Sequence, residues 1–269
     1  MYINIKYLSD KYGLKISGIL HLGAHKAEEA AAYKEIGASK VIWIEGNPEL
    51  ITILKTELQK YKNQFVYNVL VSDTDNEQVN FNVTNNLQSS SILELGTHKE
   101  HSPNVSVDHK LPLLTHRLDT FFTNNHINIS DCNFLNIDLQ GAELSAMKGL
   151  GDYLKYFDYI YTEINIGQVY KNCPVLFELD TFLHQQGFIR VETYLTPRQW
   201  GDAFYLKRKS TSLQKYWNLF NALRLQYFYP IKYNLSVRPY KFCRKLLGKT
   251  KRMFMSKNIG ILTNNKQNV

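Results

Sequence analysis

Gly23 and Glu45 are the first residues whose types and spacing suggest chemistry. Gly23 ends the apolar run Ile19, Leu20, Leu22, and it alone lets the backbone pass close under a ligand. Glu45 closes the run VIWIEGNP, at the distance from which an acid accepts the two hydroxyls of a ribose. The pair points to an adenosine. The phosphates of a dinucleotide suit the stretch poorly, because the second and third glycines of that fingerprint are missing. Glu28 and Glu29 also stand in what the spacing makes the first turn of a helix, where a pyrophosphate needs the positive end of the dipole. S-adenosylmethionine carries the same adenosine with a sulfonium and an ammonium in place of phosphates, so the acids attract it. His21, Ala24, His25 and Asn47 complete the two turns that would surround it. A dinucleotide or a purely structural turn is the alternative.

A second set of acids lies further on. In FLNIDLQGAELSAMKGL, Phe134 to Leu150, Asp138 closes an apolar run, Gly141 permits a tight turn, and Glu143 begins a helix with Leu144, Met147 and Leu150 on one face. Asp138 is thereby placed toward both the cofactor and an incoming acceptor, with helix capping as its alternative role. Methyl transfer from sulfonium to oxygen is an in-line displacement that gains from orientation and from a base for the hydroxyl proton. Asp138 is the first choice for that base, and Glu163, in YTEIN, is the second. Ser72 and Asp73 end NVLVSD, at the corner where an adenine edge is read in such sheets, or else cap a strand. Ser90 and Ser91, Glu143 and Trp200 are assigned to the acceptor, against solvated-loop and packing alternatives. His184, beside Phe182 and Leu183, reads as a packing or surface residue. His21 and His25 straddle a strand and a turn, so no metal site is predicted.

These residues need a scaffold that brings strand ends together. Strand-like and helix-like segments alternate: Gly18–Leu22, helix Ala27–Ile36, Lys40–Glu45, helix Pro48–Tyr61 and Phe65–Val69. Unbroken apolar runs at Val41–Ile44 and Phe134–Ile137 fit parallel strands covered on both faces. Such alternation predicts an α/β fold of βαβ units around a mostly parallel sheet. A short leading helix precedes it. Strand Val79–Val83 is followed by a polar stretch, residues 85–107, of the length of a lid or binding loop. Leu118–Phe122, strand Phe134–Asp138, helix Ala142–Leu150, strand Tyr159–Ile164 and helix Val175–Gln186 lead to Gly187–Tyr194 and Asp202–Lys207, which should pair antiparallel across Pro197 and Gly201.

Charge divides the chain. All 24 acidic residues precede Ser210, whereas 12 of the 32 Lys and Arg follow Lys209, against a whole-chain charge of +8. The expected domains are therefore 1–209, which carries the chemistry, and a basic, aromatic extension, 210–269, with a disordered end. Basic residues interleaved with Tyr216, Trp217 and Phe220 suit an anionic membrane surface through residues 213–257, or a docking arm; nucleic acid is less favoured because the first part is acidic. Three scattered cysteines, no leader and no run near the ~18 apolar residues of a membrane helix lead to the expectation of a cytoplasmic protein, peripheral at most.

The motifs HLGAH, IEGNP, VLVSD, SSSIL, RLDTF, NIDLQGAELSAMKGL and GDAFYLKR, in that order from Ile16 to Lys209, resemble the FkbM family of S-adenosylmethionine-dependent O-methyltransferases. The resemblance implies the class I, Rossmann-like methyltransferase sheet of seven strands with an antiparallel last strand. It also implies an acceptor hydroxyl on a sugar, glycan, lipid-linked saccharide or similar metabolite. His21 stands where such families usually have an acid for the methionine ammonium, and Ala27 where a glycine is common. A neutral His21 would still accept a hydrogen bond from that ammonium; a charged one would repel it. The competing readings are a methyltransferase fold that binds without catalysing, and a nucleic-acid methyltransferase clamped by the basic extension.

Overall fold

The computed structural model describes residues 1–207 and, as helix, Ser212–Tyr233, with side chains through Gln226. The segment Tyr240 to Phe254 and the end of the chain lie outside the described residues.

The unbroken apolar runs become strands buried on both faces. β1 (Gly18–Leu22) is buried along its whole length, and β2 (Lys40–Glu45) at all but its first residue. β3 (Gln64–Asn68) pairs parallel to β2. After β3 the chain crosses back, and β7 (Phe134–Ile137) pairs parallel to the other edge of β1. β8 (Tyr159–Asn165) extends the sheet in parallel, and β10 (Trp200–Lys207) inserts antiparallel between β8 and β9 (Phe188–Leu195). The order is β3-β2-β1-β7-β8-β10-β9. This is the expected seven-stranded, mostly parallel class I methyltransferase sheet with an antiparallel last strand. The order reverses between β1 and β7, so the crevice at their carboxyl ends is where a ligand binds in this architecture.

Helices α1 (Ile5–Tyr12), α2 (Ala30–Glu35) and α3 (Ile51–Leu58) pack Leu8, Tyr33 and Leu54 against Trp43 and Phe134 of the sheet. α2 is shorter than the predicted Ala27–Ile36. His25 and Ala27 adopt φ of 44° and 59°, so the chain loops before the helix begins. Glu28 and Glu29 therefore precede α2 rather than forming its first turn. A 3-10 turn, Pro48–Leu50, likewise replaces the start of the predicted helix Pro48–Tyr61.

A strand that the sequence reading missed also appears. β4 (Leu70–Val71) and β5 (Gln78–Thr84) flank β6 (Val107–His116) in a separate three-stranded sheet. Pro112, a residue that argues against a strand interior, faces Asn80 of β5, at a position where β4 does not reach β6. Between them lies α4 (His98–His101), within the polar stretch expected to be a loop. α5 (Leu118–Asn124), α6 (Glu143–Gly149) and α7 (Leu176–Gln185) cover the remaining strands.

On α7, buried Asp180 accepts hydrogen bonds from Arg190 Nη2 at 2.9 Å and from the Tyr205 hydroxyl at 2.9 Å. Arg190 Nη2 also donates to the Asn218 carbonyl at 3.3 Å, and Asn218 Nδ2 returns a bond to the Arg190 carbonyl at 2.9 Å. Asn218 belongs to α8 (Ser212–Tyr233), so this network fastens the first part of the extension to the sheet domain. The compact unit accordingly continues to Gln226, past the charge boundary at Ser210.

Candidate functional site

The ends of β1, β2 and β7 open into a cleft of about 1170 Å³, its mouth included. Gly23 sets its floor. Its φ is +86°, and a Cβ there would stand 1.8 Å from the Asp138 carbonyl oxygen, so the backbones leaving β1 and β7 touch where only glycine fits. Glu45 accepts the His25 amide at 2.8 Å and the Asn47 amide at 2.7 Å, one on each oxygen. Each oxygen keeps a second lone pair for a ligand. Burial raises the Glu45 pKa, while the two amides act the other way.

His21 is buried against Trp43, ring centroids 4.8 Å apart. Burial pulls its pKa down to about 4, against the opposing charge of Asp138, so the ring is neutral at pH 7. Asn136 Nδ2 donates to the Tyr33 hydroxyl at 2.6 Å, which leaves that hydroxyl free to donate to His21 Nδ1 at 3.0 Å. Asn136 Nδ2 also lies 3.5 Å from His21 Nε2, so both ring nitrogens have partners within the protein.

Carboxylates crowd the β7–β8 side. Asp138 is exposed to the cleft, Glu163 is buried beside it, and Asp202 of β10 accepts from the Tyr161 hydroxyl and, at 2.5 Å, from the Tyr2 amide. Gln140 joins the first two. Its Nε2 donates to Asp138 Oδ1 at 2.5 Å and to Glu163 Oε2 at 2.7 Å, and its Oε1 accepts from the Tyr170 hydroxyl at 2.6 Å. Burial, then the charges of Asp138, Glu143 and Asp202, drive the Glu163 pKa well above the ordinary carboxylate value. Glu143 does not line the cleft. It accepts the Leu139 and Gly141 amides, each at 3.0 Å, and so fixes the turn that carries Asp138 and Gln140.

Burial raises Glu143 to about 7, with Asp138 adding to the shift. The folded chain therefore binds more protons at Glu143 and Glu163 than the unfolded chain does. Their contribution to stability is full below the ordinary carboxylate pKa of 4.5 and is lost as pH rises to about 7 and beyond. Denaturant titrations should show stability falling from pH 5 to pH 8, and Glu163→Gln should flatten that fall. A pH-independent midpoint would refute the assignment.

Of the residues assigned from sequence, His21, Gly23, His25, Glu45, Asp138, Glu163 and Ser90 line the cleft. The others stand back from it. Asn47 caps the turn after β2, Ala24 is core, and Ser91 Oγ donates to the Gln140 carbonyl at 2.9 Å. Ser72 and Asp73 meet Ser145 of α6, whose Oγ receives the Asp73 amide at 2.9 Å; Val69, Leu70 and Val71 take the wall expected of them. Gly141 faces a separate hollow with Ser145 and Cys173. His184 lies on α7 against Lys215 of α8. Among the described residues no group of His, Cys, Asp and Glu is arranged to hold a metal ion.

Trp200 lines a second chamber of about 930 Å³, together with Tyr2, Asn86, Ser89 and Arg198. This chamber and the cleft share the wall of Asp138, Gln140, Glu163 and Asp202. The roles of Gln140 and Tyr170 were not anticipated. The one local signal is the φ of +54° at Gln140, and backbone angles are not written in residue types.

The chain matches the methyltransferase FkbM domain over residues 21–190. Among curated proteins none matches it in sequence. Among solved structures it is similar to fibrillarin from Aeropyrum pernix, determined with natively bound S-adenosyl-L-methionine, at 15% identity over 71% of this chain and 66% of that one, with a TM-score of 0.43. It is also similar to a protein of the NADB-Rossmann superfamily from Streptococcus agalactiae, at 12% identity over 96% and 86% of the two chains and a TM-score of 0.46. Magnesium protoporphyrin IX methyltransferase from Synechocystis PCC 6803, with bound SAM, is 8% identical over 76% of each chain, with a TM-score of 0.43. The family match spans most of the chain, including the end of β1, all of β2, β7 and β8 and the acids Glu45, Asp138 and Glu163, and the protein is a member of the FkbM methyltransferase family.

Proposed function

We propose that this methyltransferase moves a methyl group from S-adenosylmethionine to a hydroxyl of a sugar, a glycan or a comparable small metabolite. The observation that carries the reading is the shared wall, where one exposed carboxylate, Asp138, borders two chambers at once.

The donor set of the first cleft fits S-adenosylmethionine. Glu28, Glu29, Glu45, Asp138, Glu163 and Asp202 all line it, which suits a ligand with two cationic centres and opposes a pyrophosphate. Glu45 offers its free lone pairs to ribose hydroxyls, and Phe81, Leu70 and Ile92 give an apolar wall for a base. Bound S-adenosylmethionine supplies an electrophilic methyl group on its sulfonium.

Asp138 accepts the proton of the acceptor hydroxyl. Gln140 holds Asp138 in place through Nε2, and Tyr170 fixes the amide the right way round by donating to its oxygen. Glu163, buried and with its pKa raised, accepts from the same Gln140 amide and steadies it. In the second chamber Trp200 and Tyr2 offer ring faces, and Asn86 and Ser89 offer polar contacts, a combination suited to a saccharide.

Incubation with labelled S-adenosylmethionine and hydroxyl acceptors, read by mass spectrometry, tests the reaction. Transfer to nitrogen or carbon only, or to RNA only, would replace it. A cation entering this acidic cleft must also lower the pKa of the raised carboxyls. Calorimetry at pH 7 in buffers of different ionisation enthalpy should therefore show proton release with S-adenosylmethionine, and less with S-adenosylhomocysteine, which lacks the sulfonium. Equal release with both ligands would contradict the electrostatic account. No measurable binding at millimolar S-adenosylmethionine would favour a non-catalytic fold.

A further inference from the structure

Up to Gln226, helix α8 turns one face to the domain and the opposite face to solvent. Asn218 and Ala222 are buried, four residues apart, on the first face. On the other, Leu213, Tyr216, Trp217, Phe220 and Leu223 are 37–70% exposed. Their spacing of i, i+3, i+4, i+7 and i+10 makes one continuous stripe. The Trp217 and Phe220 rings lie 5.9 Å apart, and Arg224 extends the same side of the helix. Five large apolar side chains in one exposed row are not explained by the fold of the domain, which the buried face already secures.

We propose that α8 is a membrane-surface anchor, laid flat in the interface of an anionic bilayer with its apolar stripe in the acyl boundary. Charge names the occupant. Residues 210–269 carry 12 Lys and Arg and no Asp or Glu, so the helix and the sequence after it are drawn to a negative surface. Among the described residues no helix is long and apolar enough to cross a bilayer, and an amphipathic helix with a basic flank is the form that lies on one. The stripe mixes Leu213 and Leu223 with the aromatics. Leucine offers no ring for a nucleobase to stack on, which favours lipid over nucleic acid.

The full chain is mixed with vesicles of phosphatidylcholine alone and of phosphatidylcholine with phosphatidylglycerol, and bound protein is read by co-sedimentation and tryptophan emission. Trp43 is buried and Trp200 is half-buried in the second chamber, so Trp217 is read from the emission shift of the parent that the variant lacking it does not show. The protein should pellet with the mixed vesicles, shift its emission, and lose affinity as salt is added. The double variant Trp217→Ser/Phe220→Ser should bind them at least about tenfold more weakly while its circular dichroism is unchanged. The proposal fails if both vesicles are bound equally or neither is bound, or if the double variant binds as well as the parent. It also fails if the parent is a dimer in vesicle-free solution that the variant dissociates, or if single-stranded RNA displaces the mixed vesicles.

Discussion

Asp138→Asn should lower kcat for methyl transfer by about 10²–10⁴-fold, the usual contribution of a positioned base. The substitution keeps the shape of the side chain and an oxygen for Gln140 Nε2, so the turn held by Glu143 stays intact. What it removes is the proton acceptor in the wall between the chambers. The control is Glu163→Gln. Because Glu163 is buried behind Gln140 and its pKa is raised, an amide of the same size should cost less than about tenfold. Single-turnover rates with labelled cofactor measure both, and cofactor affinity is followed separately to keep binding apart from chemistry. Full turnover by Asp138→Asn would sink the assignment. The reverse ranking of the two variants would move the base to Glu163.

Gly23→Ala should weaken S-adenosylmethionine binding by more than about 100-fold, because the floor of the cleft cannot form around a side chain. The added Cβ would meet the Asp138 carbonyl oxygen at 1.8 Å, a backbone atom with no rotamer to yield, and φ is +86°. The strand ends of β1 and β7 would have to separate, dragging Asp138 with them. Gly37→Ala isolates the conformational term. Gly37 also has a positive φ, +80°, but a Cβ there meets nothing within 4 Å, so only the left-handed strain of about 1–2 kcal/mol remains. Calorimetric titration and thermal unfolding should show both variants destabilised and only Gly23→Ala deprived of its ligand. Wild-type affinity in Gly23→Ala would mean that the cofactor does not lie over this turn.

The legible part of the molecule was what one stretch of chain decides for itself. β1, β2 and β7 announced themselves as apolar runs and β8 by its place in the strand–helix alternation, and the Gly23 and Glu45 spacing marked the strand ends that line the cleft. β6 was illegible because Pro112 speaks against a strand, and only the stagger of β4 and β5 shows why it is tolerated. Ser72 and Asp73 were placed by continuing β3 too far. The strand stops at Asn68, and the next residues pair with β6, which turns the pair toward Ser145. The protonation of His21 needed its burial under Trp43 and Tyr33, and the role of Gln140 needed Glu163 and Tyr170, 23 and 30 residues away. Such facts depend on which chain segments meet, so no local pattern encodes them.

The two chambers differ in how they are walled. The cofactor side rests on strand ends locked backbone to backbone at Gly23 and Asp138, whereas Arg198, Asn86 and Ser89 reach the other chamber from surface connections. Exchanging the 196–199 turn for that of a relative would thus reshape the second chamber while leaving the Gly23 floor as it is, whereas the 85–106 excursion, whose Ser90 and Ile92 also line the cofactor side, couples tool to handle.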